Sequence, residues 1–179
     1  MEIVVAGGLG RGPTELSALD AALAGAGVAN YNLVTVSSVV PADGTVRVAD
    51  RVPDRGPAGH ALTVVLAETT AAPTETVDPA STAAPVAPVD TEPDLVAGLG
   101  WATGPGPGLF YEATGDDPAT VRERLRRGLA AGSDLREWTL PDREHHIAAG
   151  RRLSDAHVAA VTVAAYGTAE PVDGVDHTV

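Results

Sequence analysis

The 179-residue chain contains no cysteine and no lysine. Without cysteine there are no disulfides, no thiolate metal sites and no cysteine nucleophile. Without lysine there is no side-chain amine to hold pyridoxal phosphate or to capture a carbonyl substrate, so both classes of lysine enzyme are excluded. No apolar run is long enough to cross a bilayer, and no charged-then-apolar leader opens the sequence. A cytoplasmic protein without membrane contact is the expectation. Metal-ligand spacings such as HExxH are missing. His145 and His146 would point to opposite faces of a strand, and His60, His157 and His177 stand alone, so no metal is expected. The G-x-S-x-G elbow of serine hydrolases is missing as well.

What is present is acidic and small. The formal charge is -12, and all 12 basic residues are arginine. Such a surface repels nucleic acid and anionic membranes. An acidic, lysine-free chain rich in alanine and valine fits a salt-loving host.

The stretch Asn30 to Pro41 reads as a strand closed by proline. It ends in Ser37-Ser38 followed by two valines. The pair is either two hydrogen-bonded strand serines or a self-cleavage site, with Ser38 attacking the Ser37 carbonyl. Glu2 to Ala6 predicts a first strand. Gly7 to Gly12 fits a dinucleotide fingerprint poorly, because Pro13 falls on the third glycine position and no acid follows the next strand, so a flexible turn is expected. A helix is expected from about Pro13 to Ala24, capped by Thr14 and stopped by Gly25 and Gly27, with Leu16, Leu19 and Leu23 as its buried stripe. Asp20 lies at the edge of that stripe. It is a rim acid, an ion-pair partner or a site for a cationic ligand.

Ala42 to Gly59 is expected to be an irregular connection and His60 to Ala67 a core strand. Glu68 to Asp94, with five prolines and no base, is expected to be a mobile insertion. Strands are expected at Leu95 to Ala102 and Gly108 to Ala113. In the second, Glu112 shares a face with Phe110 and is either a general acid or an edge charge that aids solubility. Asp117-Pro118 opens a second helix with stripe Val121, Leu125 and Leu129, ending at Gly132. Its arginines carry no interleaved aromatics and read as solvated or ion-paired. Leu135 to Leu140, Arg143 to Ala149 and the apolar run Ala156 to Tyr166 are read as strands. A disordered tail is expected from Gly167.

Leu16 to Leu23 followed by Ala26-Gly27, Asn30-Tyr31-Asn32-Leu33, Ser37-Ser38-Val39-Val40-Pro41, Gly108 to Glu112, the Trp138 strand and the apolar strand ending at Tyr166 form a set of strings. Together they resemble the pyruvoyl-dependent arginine decarboxylases found mainly in archaea. The Glu68 to Asp94 insertion and the tail depart from the pattern. The resemblance implies an α/β (α+β) sandwich of mixed sheets covered by helices, like the pyruvoyl-dependent histidine and arginine decarboxylases. It implies one domain over 1–166, self-cleaved into 1–37 and 38–179. Ser38 would become a covalent pyruvoyl group and Ser37 a new C-terminus, with no pyridoxal phosphate and no metal. L-Arginine would be decarboxylated to agmatine through a Schiff base with that group. Glu112 would donate the proton, Asn32 orient the pyruvoyl and Asp20 pair with the guanidinium. Separately from the resemblance, Leu16 and Leu23, one turn either side of Asp20, are expected to form the apolar wall of that pocket. The family forms trimers, so a trimer or a dimer of trimers with sites at subunit interfaces is implied. Two other readings stay open: the same chemistry on another amino acid such as histidine, and an unprocessed binding or structural homologue.

Overall fold

The computed structural model describes residues 1–74 and 92–172. Its elements in chain order are β1 (Glu2–Gly12), α1 (Glu15–Ala26), β2 (Asn32–Thr35), β3 (Val39–Val40), β4 (Thr45–Val48), β5 (Ala61–Ala71), β6 (Leu95–Thr103), β7 (Gly108–Gly115), α2 (Pro118–Arg136), β8 (Asp142–Gly150) and β9 (His157–Tyr166). They form a five-stranded sheet in the order β2-β5-β9-β1-β4 and a four-stranded sheet in the order β3-β7-β6-β8. The first is mixed, with β2 parallel to β5 and β4 parallel to β1; the second is antiparallel throughout.

Alternation of side chains along the strands sorts the core into layers. Ile3, Val5, Val65, Leu99, Trp101, Phe110, Ala160 and Tyr166 meet between the two sheets. Val4, Ala6, Leu62, Val64, Val161 and Val163 face the other way, against Ala18, Ala22 and Ala26 of α1. On the far side, Val121 and Leu125 of α2 cover Val96 and Ala113, and Leu129 covers Ala102 and Leu109. The result is helix, sheet, sheet, helix: an α+β sandwich of the expected class. The apolar β9 lies between β5 and β1 and is buried on both faces, as its sequence requires. Thr162 is its buried polar residue. Its hydroxyl donates to the Ala97 carbonyl at 2.8 Å and accepts from Ala148 N–H at 3.3 Å, tying one sheet to the other.

Both helix starts follow the local signals. Thr14 Oγ1 accepts from Ser17 N–H and Ser17 Oγ accepts from Thr14 N–H, a reciprocal cap. Asp117 accepts from Thr120 N–H ahead of Pro118, and hydrogen bonds from the Thr120 side chain and then its backbone hold the carboxyl below the usual carboxylate range.

Several expectations are corrected. Gly7 to Gly12 is not a turn but the second half of β1, paired with β9 along its whole length. A Cβ on Gly8 or Gly10 would stand 2.0 or 2.1 Å from the carbonyl oxygens of Ala22 or Ala18. The glycines are there so that α1 can lie almost in contact with the sheet. For the same reason the buried stripe is Ala18, Ala22 and Ala26, while Leu19 and Leu23 are partly buried at its sides and Leu16 stays 68% exposed. Asn30 to Pro41 is not one strand but two, in different sheets. The connection Ala42 to Gly59 contains β4. Strand β5 continues to Ala71, because Glu68 to Ala71 pair with Val158 to Val161; the insertion proper, 75–91, lies outside the described residues. Gly132 does not stop α2, which runs to Arg136 and closes at Glu137 with φ 56°. Leu135 to Leu140, Trp138 included, is therefore helix end and loop rather than strand; Arg136 stacks over the Trp138 ring at 5.6 Å. In the tail, Glu170 exchanges backbone hydrogen bonds with Ala61, and Ala169 N–H donates to the Arg55 carbonyl. Residues 173–179 lie outside the described range.

Candidate active site

Ser37 and Ser38 sit where the chain crosses from one sheet to the other. Upstream, Val36 N–H donates to the Val64 carbonyl of β5 at 3.1 Å; downstream, Phe110 N–H of β7 donates to the Ser38 carbonyl at 2.8 Å. The chain bends at Ser38 between these anchors. Pairing of Val39 with Leu109 and Val40 with Gly108 then fixes the downstream register.

That register sets the chemistry. Phe110 and Glu112 alternate onto the inner face of β7. Phe110 is buried between the sheets, and Glu112, one step along, reaches the open rim. Ser38 Oγ donates to Glu112 Oε1 at 3.0 Å. A hydroxyl bonded to a carboxylate can attack a carbonyl while the carboxylate takes its proton. The neighbouring carbonyl is that of Ser37, whose own side chain is exposed.

Tyr166, at the end of β9, escaped the sequence reading as a site residue. Its ring packs edge-on against Phe110 with centroids 6.1 Å apart, and its hydroxyl donates to the Val39 carbonyl at 3.1 Å. Burial, helped by the Glu112 charge, pushes its pKa up to about 12. The available signal was the polar tip ending an otherwise apolar strand.

The other expected residues are not gathered around Ser38. The side chain of Asn32 is on the face of β2 opposite Leu33, which packs toward α1. Its amide donates to the Gly59 carbonyl and its backbone N–H to the His60 carbonyl; it makes no hydrogen bond to Ser38. Asp20, Leu16 and Leu23 are on α1, which covers the outer face of the five-stranded sheet, whereas Ser38 and Glu112 open from the inner side. Within one chain the sheet separates Asp20 from Ser38. His145 and His146 do face opposite ways: His145 borders the groove between α2 and β8, and His146 packs against Gly7 between the sheets. Burial, and after it the neighbouring His145, lowers the His146 pKa.

Comparison with known proteins decides the family. The model of the pyruvoyl-dependent arginine decarboxylase family matches residues 2–171. The chain belongs to this family. A pyruvoyl-dependent arginine decarboxylase of Halobacterium salinarum is 43% identical over 172 residues, spanning 95% of this chain and 96% of that protein. One of Pyrococcus horikoshii is 31% identical over 133 residues, covering 74% and 73% of the two chains, and one of Pyrococcus furiosus is 30% identical over the same length. The family's name carries the cofactor with it: a covalent pyruvoyl group. The likeness to a Halobacterium protein also fits the acidic, lysine-free composition.

Proposed function

We propose that this protein cuts its own Ser37–Ser38 bond, converts Ser38 into a pyruvoyl group and decarboxylates L-arginine to agmatine and carbon dioxide. The observation that carries the reading is the 3.0 Å hydrogen bond from Ser38 Oγ to Glu112, at a bend anchored on both sides. The residues present fit a group made from the chain itself: a serine hydroxyl beside its own upstream carbonyl, a carboxylate to take its proton, and no lysine that could substitute. Such a group supplies a ketone next to an amide, which draws electrons from the α-carbon of an attached amino acid as carbon dioxide leaves.

The chain's own residues do the rest. Glu112, on the inner face of β7, first receives the Ser38 proton and in the mature enzyme holds the proton returned to the product carbon. Asn32 is assigned the orientation of the group, a role that requires its amide to leave the Gly59 carbonyl it bonds in the single chain. Asp20 receives the guanidinium in a bidentate, charge-assisted pair, which favours arginine over a neutral side chain. Because the five-stranded sheet separates Asp20 from Ser38 in one chain, Asp20, with Leu16 and Leu23 as apolar wall, serves the Ser38 of a second copy. The exposure of Leu16 supports this, and a trimer or dimer of trimers with sites between subunits is the assembly we infer. We infer a single domain, expected over 1–166 and continued by the backbone bonds of Ala169 and Glu170 to Arg55 and Ala61, cut into 1–37 and 38–179.

The test is the intact mass of the purified protein under denaturing conditions, with agmatine release measured on the same sample. Two pieces, 1–37 and 38–179, the larger lacking the mass of ammonia, are expected, and Ser38→Ala is expected to remain a single uncut chain. Cleavage of Ser38→Ala at the same bond would overturn the mechanism. A cut protein that releases carbon dioxide from histidine and not from arginine would overturn the substrate alone.

A further inference from the structure

Four hydrogen bonds fix the peptide that is to be cut, and one of them touches the reacting carbonyl itself. Val39 N–H donates to the Ser37 carbonyl oxygen at 2.7 Å. Among the described residues Glu137 is the non-glycine with positive φ, so Ser38 has negative φ and this bond closes an inverse γ-turn around it. The same peptide unit offers its own carbonyl, that of Ser38, to Phe110 N–H at 2.8 Å. One residue on, the Val39 carbonyl accepts from the Tyr166 hydroxyl at 3.1 Å. Val36, held to Val64, secures the upstream side. A phenyl ring alone would fill the space beside Phe110; the Tyr166 hydroxyl adds a tether to the segment just after the bond.

We propose that Val39 N–H is the oxyanion donor of the self-cleavage, and that the Phe110 amide and the Tyr166 hydroxyl are the positioning groups that aim it. This rests on the reading that the chain cuts itself at Ser37–Ser38. In the first step Ser38 Oγ forms a bond to the Ser37 carbonyl carbon and its proton passes to Glu112. The carbonyl π pair moves onto the oxygen, where Val39 N–H already points. As the pair returns, the bond from Ser37 carbon to Ser38 nitrogen breaks, and the nitrogen takes the proton back from Glu112 to leave as an amine. The product is an ester of Ser37 on the Ser38 hydroxyl, an isomer of the starting chain that needs no co-reactant. The donor is backbone and already in place, so little reorganisation accompanies the developing charge. Phe110 N–H on the same peptide unit polarises it and makes Val39 N–H a better donor.

The experiment follows cleavage of the full chain after a pulse of cell-free synthesis, reading fragments by mass. In one variant the α-hydroxy analogue of valine is incorporated at position 39, which replaces the N–H by an ester oxygen and keeps the side chain. Loss of one oxyanion donor should slow cleavage after residue 37 by about 100-fold or more. Tyr166→Phe, which keeps the ring, should slow it about tenfold, the effect of one hydrogen bond acting at a distance. Hydroxylamine, which cuts the ester as it forms, should release fragment 1–37 from Tyr166→Phe with the same delay, placing the defect in the first step. Stability of Tyr166→Phe is measured in the uncleavable Ser38→Ala background, so that a weakened fold is read separately. If the wild type is cut and the ester variant is cut equally fast, Val39 is not the donor. If Tyr166→Phe is less stable yet matures at the wild-type rate, its hydroxyl has only a structural role and its assignment falls. An uncut wild-type chain would bring down the self-cleavage reading and this inference with it.

Discussion

Replacing Glu112 by glutamine separates orientation from proton transfer at the proposed cleavage site. Glutamine keeps the length of the side chain and an oxygen able to accept from Ser38 Oγ at the observed 3.0 Å, so the hydroxyl remains aimed. What is lost is a group that can take its proton. Positioned general bases contribute about 10²–10⁴ in rate, which is about 3–5 kcal/mol of barrier. Among the described residues the Ser38 hydroxyl bonds to the Glu112 carboxylate, and the adjoining Ser37 and Ser38 carbonyls accept from Val39 and Phe110 N–H groups. Maturation of Glu112→Gln should therefore slow by about 100-fold at least, and the freshly purified variant should be largely uncut on a denaturing gel. The fraction that does mature, given time, tests the second duty: its turnover of arginine should fall by a similar factor. A variant that purifies fully cut would show that the Ser38 proton goes elsewhere. A matured fraction with normal turnover would remove Glu112 from the decarboxylation step.

Three further outcomes are expected. Asp20→Asn should leave maturation untouched but weaken arginine binding by about tenfold or more, since a hydrogen bond to a charged group is worth about 1.5–3 kcal/mol; an unchanged KM would exclude Asp20 from the substrate site. Gly10→Ala places a Cβ 2.1 Å from the Ala18 carbonyl oxygen, and because the obstacle is helix backbone, α1 must lift from the sheet at a cost of about 1–3 kcal/mol, read as a lower denaturant midpoint. Tyr166 holds its proton up to about pH 12 in the folded chain and to about 10 when unfolded. Its contribution is whole below the unfolded value and is lost as pH rises toward the folded one, so denaturant midpoints should fall across that window and Tyr166→Phe should flatten the fall. With no lysine in the chain and arginine charged throughout, few other groups titrate there, and an identical pH profile in both proteins would refute the assignment.

The caps at Thr14 and Asp117 and the core strands were legible because each rests on local rules, cap chemistry or strand alternation; Ser38 and Glu112 were singled out separately by short strings resembling a family, while their contact follows from the register of β3 on β7. The errors share a different cause. Gly7 to Gly12 looks like a turn because glycine frees the backbone, yet here it serves close approach, a property of the helix that lies above it. The same approach inverted the α1 stripe. Ranking side chains by apolar size put Leu16 inside, but at a separation that only glycine permits, alanines fit the contact and leucines are pushed to its margins. Local pattern cannot report how near two elements come.

The break at Ser38 was hidden for a related reason. Asn30 to Pro41 has no glycine or internal proline to mark a bend, and β-branched residues suit β2 and β3 equally; only the change of partner, from β5 to β7, divides them. That division also answers how a chain could sever itself without falling apart. Fragment 1–37 would keep β1, α1 and β2, and β1 is paired on one side with β9 and on the other with β4, both in fragment 38–179. The cut would fall where the chain passes between sheets, and the hydrogen-bonded ladders on either side, Val36 on β5 and Ser38 on β7, do not depend on the bond that is lost. A crossing point thus combines a reacting carbonyl free of the strand ladders with two new ends that stay anchored, which a serine pair in the middle of a continuous strand would not offer.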